Sequence, residues 1–245
     1  MALLEEFDKS GNVLFRYRSY IPVAMYVLAV LVLWLDPQNF INPDNLTASY
    51  LCFGFSVIGM IVRFIVIGYV PKATSGRNTS EGQVAETVNN KGIYSLVRHP
   101  LYLGNFFMWL GIFAYVGNVW FIIVSCLLYW VYYERIMFAE EFFMRTKFGT
   151  QYTDWAAKVP AFWPKLSGWI DPEMDFSVKN ILKREYSGFL ATVISFLFVN
   201  VLKHYFQTGE FGYSVEWVYA TIAAIVITVV LKTMKKAKLL EVSGR

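Results

Sequence analysis

Charge is scarce in this chain. Asp, Glu, Lys and Arg make up 16% of its 245 residues, against the roughly 25% usual for a soluble globular domain. With 56% of the residues hydrophobic, a lipid bilayer is the expected solvent. Cysteine is nearly missing: Cys52 and Cys126 both lie inside apolar runs, so neither a disulfide framework nor a cysteine metal site follows from spacing. Histidine is as rare, and His99 and His204 form no ligand-spaced pair, so no metal centre is expected. Nucleic acid is not an expected partner either. The opening residues hold Glu5, Glu6 and Asp8 and no small-residue cleavage site. The first apolar run, from Ile21, is therefore expected to stay in the mature protein.

Aromatic residues, by contrast, are plentiful at 18%, with 8 Trp and 16 Tyr, which suits two interfacial belts of amphipathic rings. Apolar stretches near 20–36, 48–71, 101–116, 118–133, 187–203 and 214–231 are long enough, or nearly so, to cross a hydrocarbon core of about 30 Å. The predicted fold is all-α, a polytopic transmembrane helical bundle of about six spans. It divides into residues 1–47 (N-terminal segment and first span), 48–168 (the core that carries the site) and 169–245 (an interfacial helix, a C-terminal hairpin and a basic tail), with the first four spans as the core bundle. Val116-Gly117-Asn118 predicts a tight antiparallel turn between the third and fourth spans. All of the 22 Lys and Arg except Arg63 and Lys203 flank the spans on one side. The positive-inside rule then gives both termini and both long loops a cytoplasmic location, and a bacterial inner membrane is the expected setting.

In the loop from Pro71 to Val97, Ser80-Glu81-Gly82-Gln83 predicts a capping box opening a short helix through Val88. From Glu134 to Gly149 the pattern is amphipathic, with Phe138, Phe142, Phe143 and Phe148 among Glu140, Glu141, Arg145 and Lys147. This predicts a helix leaving the fourth span along the interface. Lys232, Lys235, Lys236 and Lys238 are assigned to anionic lipid.

Chemistry concentrates at Arg98-His99-Pro100-Leu101-Tyr102-Leu103-Gly104, where a loop enters the third span. Pro100 suits a first helical position. A helix start beside Arg98 and His99 predicts an anion site for a carboxylate or phosphate. An ordinary helix start with a snorkelling arginine is the plainer alternative. Glu140-Glu141 puts two carboxylates near the membrane, where unpaired charge is expensive; adjacent helical residues differ by about 100°, so one is expected inward and the other solvated. Together the two features fit both ends of an amino-acid zwitterion, such as that of S-adenosylmethionine. Arg63, within the second span, is expected to meet an anionic substrate group or a structural ion pair. Arg77 and Asn78, in Thr74-Ser75-Gly76-Arg77-Asn78-Thr79, are expected to form a lid or headgroup contact, or else a plain solvated loop.

The order Gly92-Ile93-Tyr94, Arg98-His99-Pro100-Leu101-Tyr102-Leu103-Gly104, then Arg135-Ile136, Glu140-Glu141, Met144, Phe148-Gly149, Tyr152, Trp155 and Val159-Pro160 resembles the isoprenylcysteine carboxyl methyltransferase and phospholipid methyltransferase group of integral membrane enzymes, over roughly residues 60–165. The resemblance implies S-adenosylmethionine as cofactor and a membrane lipid or lipidated substrate. It implies that Tyr94, His99, Tyr102, Gly104, Glu140 and Glu141 bind the cofactor, with Arg98, Glu141 and Lys158 near the reacting groups. Lys158 stands where isoprenylcysteine enzymes typically have arginine; it keeps the charge but not the bidentate fork, which argues against prenylcysteine as the acceptor. Sterol and steroid reductases, which use a nicotinamide cofactor, carry a similar His-Pro-x-Tyr-x-Gly segment, commonly followed by an acidic residue; here Asn105 follows. A transporter or lipid-binding protein is the third reading, but its signature of paired broken helices is missing.

Overall fold

The computed structural model describes residues 2–18, 20–37, 40–71, 77–79 and 82–245. Helices dominate them, and their ends follow the capping residues. An amphipathic helix, α1 (Leu3–Arg16), precedes α2 (Ala24–Leu35). Helix α3 (Leu46–Tyr69) starts at Asn45, whose side chain accepts from the Ala48 N–H at 3.0 Å, satisfying one of the donors a helix start leaves over. Helix α4 (Pro100–Val116) has its proline in the first turn and ends at Gly117, whose φ of +90° a side chain would resist. Asn118 then caps α5 (Val119–Phe148) through the Phe121 N–H at 2.9 Å. The expected hairpin is therefore present. Helix α5 continues unbroken for 30 residues, about 45 Å, so the expected interfacial helix is its C-terminal part. A short α6 (Thr150–Ala156) follows, then α7 (Val178–Thr208) and α8 (Val215–Lys236). Residues 178–186 form the first turns of α7 itself.

The molecule is the expected polytopic helical bundle. Helices α3, α5, α7 and α8 are long and apolar enough to cross a membrane, while α2 and α4 are apolar but shorter, at 12 and 17 residues. Among the described residues 82–88 the expected short helix through Val88 is not found. Instead β1 (Arg77–Thr79) pairs antiparallel with β2 (Gly82–Val84), Asn78 opposite Gln83. Glycine and β-branched residues disfavour helix there. Ser80, Glu81 and the expected lid residues Thr74, Ser75 and Gly76 lie outside the described residues, as do the side chains of Arg77 and Asn78.

Small residues let α3 and α4 meet backbone to backbone. A Cβ on Gly59 would lie 2.6 Å from Met108 N, and one on Gly104 would lie 2.9 Å from Gly59 O. Ser56 Oγ, about one turn before Gly59, donates to Met108 O at 2.8 Å. Close approach through small side chains is how helices associate where lipid removes the hydrophobic drive. Two apolar clusters fill the bundle: one around Phe113, Tyr115, Phe196 and Trp217, the other around Tyr102, Tyr129, Tyr133 and Phe162. The second lies beneath the candidate site.

Candidate active site

The chain after α6 folds back on the segment that leads into α4. Arg98 N donates to Pro160 O at 2.9 Å, His99 N to Ala161 O at 3.1 Å and Lys165 N to Leu96 O at 2.9 Å, while Gly92 bridges Ile170. Arg98 Nη1 adds bonds to Ala156 O (2.5 Å) and Val159 O (3.0 Å). The backbone N–H groups of Arg98 and His99 and one end of the Arg98 guanidinium, which flank the anion site expected at the start of α4, thus serve the 156–161 segment. A loop that crosses the motif must find partners for its own carbonyls, and these were the nearest donors.

The other end of Arg98 faces α5. Its Nε donates to Glu141 Oε1 at 2.9 Å, and His99 Nε2 lies 2.9 Å from the same oxygen. On the other side of the ring, His99 Nδ1 lies 3.5 Å from Glu140 Oε2. Both carboxylates therefore point at one imidazole, with side-chain exposures of 17% for Glu140 and 19% for Glu141. The expectation of one inward and one solvated carboxylate is corrected, because two residues 100° apart can straddle a ring that sits between them. Burial alone would pull the His99 pKa down, but the carboxylates outweigh it and raise the value above the ordinary 6.5. A protonated His99 donates from both nitrogens and, with Arg98, balances the two carboxylates.

Aromatic rings support this cluster. Tyr102 stacks on His99 (5.7 Å, 18°) and meets Tyr133 at 4.8 Å, and Tyr133 stacks on Tyr129 at 4.2 Å. Tyr129 Oη donates to Tyr102 O at 2.8 Å, which fixes the first turn of α4. Two phenols outside the spans are raised, chiefly by burial and then by a carboxylate: Tyr94 by Glu140 and Tyr152 by Glu141. Tyr94 also borders a polar cavity of about 140 Å³ shared with Tyr69, Val88, Gly92 and Pro172.

Other candidates lie apart from this cluster. Gly104 faces α3, where a Cβ would come 2.6 Å from Arg63 Cγ, so its visible task is to let that side chain pass. Arg63 places Nε and Nη2 on Glu185 (2.7 and 2.9 Å) and Nη1 on Asn105 Oδ1 (2.7 Å). The fork expected to meet a substrate anion is thus engaged within the protein, and the ion-pair alternative is the one present. Lys158, within the 156–161 segment, is exposed. Sequence reasoning missed Glu185, Asn105 and Tyr133. The signal available for Glu185 was a lone arginine within a span, which asks for a carboxylate on a neighbouring helix.

Among the described residues no group of His, Cys, Asp and Glu is arranged to hold a metal ion. The donor set instead suits an organic cation: two acidic side chains on α5, one imidazole and one guanidinium, closed below by tyrosines. The amino-acid end of S-adenosylmethionine carries such a cation, and the set fits it when His99 gives up its proton. Beyond the cluster, a groove of about 380 Å³ opens between α1, α2, α4 and α5, walled by Leu14, Met25, Trp109, Leu128 and Tyr129, with Arg135 and Ser10 at one end. Tyr129 belongs both to this wall and to the tyrosine stack.

Comparison with known proteins agrees with the motif. Residues 45–151 match the family model of phospholipid methyltransferase. The chain is similar to protein-S-isoprenylcysteine O-methyltransferase of Xenopus laevis, 29% identical over 58% of this chain and 51% of that protein. It is likewise similar to the Schizosaccharomyces pombe protein of the same name, 30% identical over 44% of this chain and 46% of the other. The cobalt-zinc-cadmium resistance protein CzcN of Cupriavidus metallidurans is 28% identical over 59% of this chain and 62% of its own length. The chain thus spans about half the length of the isoprenylcysteine methyltransferases it matches. No solved structure matches it.

Proposed function

We propose, from the match of residues 45–151 to the phospholipid methyltransferase model and from the two carboxylates that meet His99, that the protein is an integral membrane methyltransferase. It uses S-adenosylmethionine and acts on a lipid-like acceptor at the cytosolic membrane face. The observation that carries this reading is the Glu140-His99-Glu141 arrangement with Arg98, inside the matched segment. Bound there, the cofactor would supply an electrophilic methyl group on a sulfonium.

The protein's own work is binding and orientation. Glu140 and Glu141 attract the cofactor's cationic end once His99 no longer occupies both of them with a proton. Arg98 ties Glu141 to the loop that covers the motif, and Tyr102, stacked on His99, closes the floor against water. Methyl transfer needs nucleophile, carbon and leaving group in line, so holding both partners in one geometry supplies most of the acceleration, and a low-dielectric site strengthens each electrostatic contact. A carboxylate or phosphate acceptor needs no base; an amine would need one, with Glu141 and Tyr102 as the candidates. The groove at α1, α2, α4 and α5 is apolar along its length and has Arg135 at one end. That combination suits a hydrocarbon chain with an anionic head, entering sideways from the bilayer.

Calorimetry on the detergent-purified protein tests this. S-adenosylhomocysteine is expected to bind at micromolar concentration and Glu141→Gln to weaken it at least about tenfold, the scale of a lost charge-assisted contact. Binding of NADPH alone would overturn the methyltransferase in favour of a reductase. For the acceptor, Leu128→Trp fills the groove and is expected to raise KM for long-chain acceptors while S-adenosylhomocysteine affinity stays put.

A further inference from the structure

A partly buried side-chain relay joins the C-terminal hairpin to the floor of the candidate site. It starts at Glu185 on α7, which is 5% exposed and lies outside the matched segment 45–151. Glu185 takes Nε and Nη2 of Arg63 on α3 in a two-bond fork. The third nitrogen of Arg63 donates to Asn105 Oδ1 on α4 at 2.7 Å, and Asn105 Nδ2 donates to Tyr133 Oη on α5 at 3.4 Å. Tyr133 packs on Tyr102, and Tyr102 stacks on His99. Four helices thus meet through one chain of contacts, and Gly104 leaves the space through which the Arg63 side chain runs.

An ion pair that only clamped two helices would need nothing beyond the Arg63–Glu185 fork. Here the guanidinium is also spent on fixing the rotamer of Asn105. That amide must present its oxygen to Arg63, so its NH₂ is the end left for Tyr133. We infer that Glu185 is a positioning residue for the site: by neutralising and orienting Arg63 it sets Asn105 and Tyr133, and so the Tyr102–His99 stack. The appended hairpin thereby completes the site of the four-helix core. The effect on cofactor binding rests on the methyltransferase reading; the effect on His99 does not.

The test uses the full-length protein in a His204→Gln background, which leaves His99 as the single histidine, followed by NMR titration of its ring. His99 is surrounded by Glu140, Glu141, Arg98 and Tyr102, none of which is altered. The variants are Glu185→Gln, Glu185→Asp and the double substitution Arg63→Met with Glu185→Met. Removing one partner of a buried pair leaves an uncompensated charge, whereas apolar replacement of both is often tolerated, so the double variant keeps the test valid where Glu185→Gln does not fold. The expected result is a displaced His99 midpoint in the Gln and double variants, return toward wild type in Glu185→Asp, and S-adenosylhomocysteine affinity lowered about fivefold or more in the first two. An unmoved His99 midpoint in the folded double variant overturns the relay and leaves a plain helix clamp. A moved midpoint in a protein that binds no S-adenosylhomocysteine upholds the relay and removes the cofactor reading instead.

Discussion

His99 is the residue on which the electrostatics of the site turn, and its behaviour with pH is fixed by its neighbours. Its folded pKa is raised above the ordinary 6.5, so the stability it contributes through Glu140 and Glu141 is fully present below about 6.5 and is lost as pH rises through the raised folded value. Thermal melting in detergent is expected to fall across that window, and His99→Gln to flatten the slope. Ligand binding carries the opposite sign. A cationic ligand that takes the carboxylates competes with the imidazolium, so S-adenosylhomocysteine is expected to bind more tightly above the His99 midpoint and to release a proton on binding below it. Calorimetry in two buffers of different ionisation enthalpy reads that proton directly; identical apparent enthalpies would sink the exchange. At this scale the sequence was informative about identity and silent about partners. Glu140-Glu141 and His99 stood out as types, but only folding turns both carboxylates onto one ring.

At the scale of elements, caps and glycines decide most boundaries. Gly117-Asn118 marks a helix boundary legible along the chain, while the structure adds Asn45 and Ser177 as caps that accept from the Ala48 and Asn180 N–H groups, each satisfying a donor that a helix terminus leaves over. The pairing of α3 with α4 rests on Gly59, Gly104 and Gly111. Gly59→Leu is expected to cost about 1–3 kcal/mol through overpacking against the α4 backbone, seen as a lower midpoint in a detergent-unfolding series, while Gly54→Ala, with nothing within 4 Å of its Cβ, is expected to hold or slightly raise it through the better helix propensity of alanine. The segment Gly82–Val84 was misread as helix. Its capping-box pattern is local, but strand pairing with Arg77–Thr79 is a contact the pattern does not contain.

At the scale of the whole molecule, the C-terminal hairpin is part of the bundle and not an ornament. Helix α7 carries Glu185 against Arg63, Asn180 against Ile67 O (2.7 Å) and Lys203 against Tyr115 O (2.8 Å), which ties it to both α3 and the end of α4. A chain ending at residue 168 loses all three and leaves Arg63 without its carboxylate in a low-dielectric setting. It is expected to aggregate on size exclusion in detergent, and adding Arg63→Met to recover part of the monodisperse peak.

What the sequence determined by itself is what local chemistry encodes: a bilayer as solvent from the scarcity of charge, helix ends from caps and glycines, six apolar segments from their length, and the motif residues Arg98, His99, Tyr102, Glu140 and Glu141. What only the tertiary structure decided is how those groups are spent. Arg98 divides its donors between Glu141 and the 156 and 159 carbonyls, Arg63 goes to Glu185 and Asn105, Lys158 stays exposed, and two carboxylates share one imidazole. The reason is physical. A residue's type and helical phase are properties of its own segment, whereas the partner that satisfies a buried charge comes from another helix, 122 residues away in the case of Arg63 and Glu185.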